Sequence, residues 1–133
     1  MPPADNNPFA QAAGAYGNTS KQTPNQRELE AHVLMKSARM LNDVRENWDQ
    51  GSEEALNDAL QYNRQIWMVF YDTAVENENS GQSNDFRSNI INLANFIFKR
   101  EIDIRSNPEK DLLDALISIN KELSAGLMSK PQG

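Results

Sequence analysis

The chain's only histidine, His32, has Glu28 one helical turn before it, a spacing at which two side chains can share a metal ion. A metal centre needs three or four converging ligands, and no cysteine is present to supply the remainder. Di-iron bundles draw on paired Glu-x-x-His segments, which a single histidine cannot furnish twice. The six glycines are scattered, and none builds a phosphate-cradling loop ahead of a lysine. Adjacent carboxylates such as Glu53 and Glu54 stand at an expected helix start, where the helix dipole accounts for them without acid or base work. No serine makes a better case as a nucleophile. Asn18, Thr19 and Ser20 fit a glycosylation sequon, but no secretion signal accompanies them and chance explains the match. These residues point to a protein that is not an enzyme and carries no cofactor or metal.

The elements that hold such residues are bounded by size and composition. A length of 133 residues with 38% hydrophobic content suits one domain with one modest core. Without cysteine there is no disulfide framework, so packing must supply the stability. The longest strongly apolar stretch, residues 65–71, is far shorter than the roughly 20 residues that span a bilayer. Residues 1–7 contain no Lys or Arg and lead into no apolar run, so a cytoplasmic location is expected. A net charge of −6 disfavours phosphate backbones and anionic lipid, which makes proteins the expected partners, with no membrane role and no direct nucleic-acid contact.

Residues 1–23 are rich in Ala, Asn, Gly and Pro, and read as an N-terminal arm that is disordered in part or carries one short helix from Asn7 and Pro8. Phe9, Ala12, Ala13 and Tyr16 would share a face of that helix. Thr23, Pro24, Asn25 and Gln26 fit a capping box that opens a long helix over 24–48. Its dry stripe is Leu34, Ala38, Leu41 and Trp48, with Arg27, Lys36, Arg39 and Arg45 placed on the wet side. Gly51 and Ser52 mark a break and a new N-cap, and a second helix over 53–77 repeats Leu56, Leu60, Asn63, Trp67, Phe70 and Ala74 at steps of four and three. A polar connection over 77–83 then leads to a third helix over 85–104, whose face of Phe86, Ile90, Ile91, Leu93, Ala94, Ile97 and Phe98 is wide enough for two neighbours. Asn107 and Pro108 signal a fourth helix carrying Leu112, Leu113, Leu116, Ile117, Leu123 and Leu127, with Gly126 as a left-handed stop. The expected fold is all-α, an antiparallel four-helix bundle over 24–128 with a flexible arm before it and a disordered tail over 129–133.

Asn63 interrupts an apolar seam, where an unpaired buried amide costs roughly 1–3 kcal/mol. The run Tyr62, Asn63, Arg64, Gln65, Ile66, Trp67 resembles the Asn-Arg-Gln-x-Trp signature of the FlaF family of flagellar proteins. Residues 23–34, with Arg27, Glu28, Leu29, Glu30 and Ala31, are similar to that family's first long helix. Tyr16 stands where an Ala-Tyr pair is often found, and Ile119, Asn120, Gly126 and Leu127 resemble the family's ending, so the likeness spans about residues 15–128. Two features depart from it: the arm before Tyr16 is longer, and the loop over 76–85 lacks a proline. The resemblance implies a flagellum-biogenesis factor that promotes flagellin synthesis and export, with flagellin as partner and the regulator FlbT as a second, opposing one.

Within that implied role a chaperone or escort would hold an amphipathic terminal helix of unassembled flagellin in an apolar groove. The surplus apolar residues Ile66, Val69, Tyr71, Ile91 and Phe98, with Arg64 and Gln65 on the rim, are the candidate contacts. Asn63, Trp67, Asn120 and Gly126 form a structural set, in which the two asparagines could bond each other, a backbone carbonyl or a bound peptide. The alternative is a post-transcriptional regulator of flagellin mRNA, acting directly or through a protein. The one compact basic group near an aromatic residue, Lys99, Arg100 and Arg105 beside Phe98, is largely neutralised by Glu101 and Asp103, which argues against direct contact.

Overall fold

The computed structural model describes residues 8–19, 22–76 and 84–129, which form five α-helices and one 3-10 turn without a strand among them. The helices are α1 (Pro8–Thr19), α2 (Pro24–Glu46), α3 (Glu53–Glu76), α4 (Asn84–Ser106) and α5 (Leu113–Met128), with the 3-10 turn at Lys110–Leu112 just before α5. Thr23 caps α2 by accepting from the Gln26 N–H at 3.3 Å, and Ser52 caps α3 by accepting from the Ala55 N–H at 3.0 Å. The first long helix ends at Glu46 rather than at Trp48, and Pro108 precedes the 3-10 turn instead of opening α5 directly.

The interior is organised around α5, which is apolar or small on most of its circumference and is accordingly buried on most of it. Helix α2 lies antiparallel to α5, because rising positions on one meet falling positions on the other: Arg27 with Leu127, Ala31 with Ser124, Ser37 with Asn120, and Arg45 with Asp114. The stripe Leu34, Ala38, Leu41 joins Leu56, Leu60 and Trp67 of α3 in the core, together with Leu93, Ala94 and Ile97 of α4. Helix α4 packs against both α3 and α1, which explains its wide apolar face.

Two expectations need correction. Arg27 was placed on the wet side of α2, yet it is 3% exposed. Steps of four and three run back from Leu34 through Ala31 to Arg27, so Arg27 belongs to the buried stripe. Its guanidinium donates to the carbonyls of Leu127 (3.1 Å), Gly126 (3.0 Å) and Ser129 (3.3 Å), capping the C-terminal end of α5 where the helix dipole favours a cation. Gly126 is likewise no left-handed stop: it lies inside α5, which continues through Leu127 and Met128 to a C-cap at Ser129.

The N-terminal arm takes the second of its two expected forms. Pro8–Thr19 is a short helix docked on α5, a fifth α-helix beside the four of the expected bundle. The two helices run parallel and meet backbone to backbone. A Cβ on Gly17 would lie 2.6 Å from the Leu123 carbonyl oxygen, and one on Gly126 would collide with the Gly14 carbonyl and come within 2.9 Å of the Asn18 nitrogen. Only glycine permits this approach. Phe9 stacks on Phe96 of α4 at 4.3 Å, and Tyr16 meets Phe86 edge-on at 6.5 Å, so aromatic rings hold the outer side of α1. Residues 1–7, the connection over 77–83 and the tail beyond Ser129 lie outside the described residues.

Candidate partner-binding surface

Three of the singled-out side chains, Asn63, Trp67 and Asn120, belong to the interior, where Ser37 joins them. Asn120 donates from Nδ2 to Asn63 Oδ1 at 2.7 Å and to Ser37 Oγ at 3.2 Å, Ser37 Oγ donates to Asn63 Oδ1 at 2.9 Å, and Trp67 Nε1 donates to Asn120 Oδ1 at 3.0 Å. One polar cluster thus ties α2, α3 and α5 together at mid-height. All four residues are buried, so these amides meet each other rather than a ligand. The Trp67 ring also meets Phe70 edge-on at 5.2 Å. Ser37 was not singled out from the sequence, although it sits three residues after Leu34 on the dry stripe, where a small polar residue is the available signal.

The outer surface carries a different arrangement. On α3 the residues Arg64, Met68, Tyr71 and Val75 follow one another at steps of four, three and four, which places them on one flank. On α4 the corresponding flank holds Ile91, Phe98 and Ile102. The flanks face each other across an antiparallel pair: Asn57 accepts from Arg105 at 3.1 Å, Tyr71 meets Phe98 with ring centroids 6.1 Å apart, and Arg87 donates to the carbonyls of Ala74 (2.8 Å) and Val75 (3.4 Å). Met68 is 49% exposed and Ile102 63%, with Val75 also exposed and Tyr71, Ile91 and Phe98 half-buried. The result is an apolar strip along the α3–α4 seam, open to solvent and lined at helical spacing.

A protein-family model described as Flagellar protein FlaF matches residues 12–127. The chain belongs to the FlaF family. The FlaF match begins inside α1 and ends at Leu127, so it takes in the second half of α1, the glycine contact with α5, the buried polar cluster and the α3–α4 seam. Neither curated proteins nor solved structures gave a match to this FlaF chain.

Of the contacts expected from the sequence, the fold brings Arg64, Tyr71, Ile91 and Phe98 of FlaF to the seam. Ile66 turns away from it: it lies one turn after Tyr62, whose ring carries the Lys36 ammonium of α2 at 4.9 Å, so Ile66 is on the flank toward α2. Gln65 and Val69 point outward from α3, Val69 at 62% exposure. Sequence reasoning missed Met68, Val75 and Ile102, which a helical projection of α3 and α4 would have placed beside Tyr71 and Phe98.

A second feature is an open hollow of about 530 Å³ at one end of FlaF, lined by Val44, Trp48, Leu56, Asn57, Arg105 and Pro108 among others. Its cation, Arg105, is held by Glu101 at 2.8 Å and by Asn57. Among the described residues no three His, Asp or Glu side chains gather as a metal site, and His32 is exposed. No described helix is long and apolar enough to cross a membrane.

Proposed function

We propose that this FlaF protein works in the cytoplasm by binding rather than catalysis, and that it escorts flagellin. An amphipathic helix of unassembled flagellin lies along the α3–α4 seam against Met68, Tyr71, Val75, Ile91, Phe98 and Ile102. The observation that carries the reading is this strip of exposed and half-exposed apolar side chains, at helical spacing, on a protein of a flagellar family. Burying apolar surface gives roughly 25 cal/mol per Å² before the costs of association, enough for a reversible grip on a helix-sized ligand. Occupancy by mass action keeps flagellin soluble until it is exported, which promotes both its synthesis and its secretion.

The test is co-elution and calorimetry of the intact protein with flagellin from the same organism, and with peptides from each flagellin terminus. Micromolar or tighter binding that is lost in Met68→Asp or Ile102→Asp supports the reading. If flagellin stays free while a flagellin leader RNA binds, with affinity falling steeply as salt rises, the protein is instead a regulator of flagellin mRNA.

A further inference from the structure

At one end of the seam a single carboxylate is shared by two arginines. Glu101 is almost wholly buried, and Arg105 Nε donates to its Oε2 at 2.8 Å while Arg105 Nη1 is fixed by Asn57 at 3.1 Å. Arg64 Nε stands 3.9 Å from the same Oε2, an ion-pair distance beyond hydrogen-bond reach. Among the described residues Glu101 is the only carboxylate within 4 Å of Arg64. Within this trio charge is one positive unit in excess, and since Arg105 is held by Glu101 and Asn57, the cation left for a partner is Arg64, whose side chain is 48% exposed. Arg64 lies one turn before Met68 on the flank that forms the seam, so this cation closes one end of an apolar strip. At the other end the Arg87 guanidinium is engaged by the Ala74 and Val75 carbonyls, and the outer edge carries the exposed carboxylates Asp72 and Glu76.

We infer that Arg64 receives a carboxylate of the docked helix. The partner segment is an amphipathic helix with an Asp or Glu one turn beyond its apolar stripe. The guanidinium fork takes that carboxylate in a bidentate pair that the buried Glu101, hydrogen-bonded by Arg105 and beyond hydrogen-bond reach of Arg64, does not outcompete. The pair also sets direction, because a helix docked the other way round would bring its carboxylate toward Asp72 and Glu76, and like charges oppose that arrangement. The inference rests on the reading of the seam as the flagellin-binding surface, and it adds the chemistry and polarity of what binds there.

Calorimetric titration of flagellin into the intact chain at low and raised salt tests it. Arg64→Glu should weaken binding by about tenfold and Arg64→Gln by about threefold, with a shallower salt dependence than the parent and, in the neutral Arg64→Gln, an unchanged melting temperature. Parent-like affinity and salt dependence in both variants, while Met68→Asp still abolishes binding, would overturn the carboxylate anchor and leave the seam standing. Parent-like binding in Met68→Asp as well would remove the seam itself. Loss of folding in Arg64→Gln would also overturn the inference, since it would make the Arg64–Glu101 pair structural.

Discussion

Trp67 donates its indole N–H to Asn120 Oδ1 at 3.0 Å, which joins the middle of α3 to the middle of α5 inside the core. The same Asn120 donates from its amide nitrogen to Asn63 Oδ1 and Ser37 Oγ, so one side chain bonds three others. Trp67→Phe keeps most of the ring volume but leaves Asn120 Oδ1 without its donor, and should cost about 1–3 kcal/mol. Trp67→Ala adds a cavity and should cost about 3–5 kcal/mol, enough to unfold a marginal domain. Urea denaturation of both variants checks the order and the sizes.

The glycine contact between α1 and α5 gives a more selective prediction. In Gly126→Ala the nearest atoms to the added methyl are α1 backbone, at Gly14 and Asn18, while α5 itself gains about 1 kcal/mol of helix propensity. The substitution should expel α1 and leave the remaining helices folded. Hydrogen exchange would then show lost protection over residues 8–19 with retained protection in α2, α3 and α5. Uniform loss across the chain would contradict this picture.

Arg27→Met retains the buried stem of Arg27 but removes the guanidinium bonds to the Leu127, Gly126 and Ser129 carbonyls, leaving the Gly126 oxygen its bonds from the Ser129 N–H and hydroxyl. A loss of about 1–3 kcal/mol is expected, with faster amide exchange confined to the last turn of α5. Thermal melts combined with residue-resolved exchange distinguish this local fraying from a general loosening.

Glu30 supplies a pH dependence. Burial raises its carboxyl above the usual range, and the opposing hydrogen bonds from Gln26 and Gln22 and the charge of Arg27 offset this only in part. A folded-state pKa above the unfolded one means that the folded state holds the proton more tightly. The contribution of Glu30 to stability is therefore fully present in acid, below the unfolded pKa, and is lost as pH rises through the raised folded value. Glu30→Gln should exceed the parent in stability at neutral pH by a margin that shrinks as the solution is acidified through that window. A margin that grows in acid would reverse the sign of the argument.

Much of the helical framework was legible because its signals are local. Thr23 before Pro24 and Ser52 before Glu53 announce α2 and α3 within their first turns, and the steps of four and three from Leu56 to Ala74 name the buried face of α3. Helix α1 was harder to read because its contact is made by Ala10, Ala13, Gly14 and Gly17, small residues that resemble a disordered tract until α5 is placed against them. The same contact explains why Gly126 looked like a helix stop. Glycine inside a helix is disfavoured, and the reason for it here lies on another helix.

The candidate surface was legible in part for a similar reason. Surplus apolar residues on α3 and α4 can be counted from sequence, but the side each one takes depends on which neighbour its flank meets. Tyr71, Ile91 and Phe98 meet across the α3–α4 pair, Ile66 faces the α2 side, and Met68 and Ile102 enter the strip only when the two helices are set in register.

The footprint of flagellin on the intact protein, read by hydrogen exchange with and without flagellin, tests the central claim most directly. Slowed exchange along residues 64–75 of α3 and 91–102 of α4, with α2 and the exposed face of α1 unchanged, is the predicted result. Slowed exchange on α1 or α2 with the α3–α4 seam unaffected would contradict it.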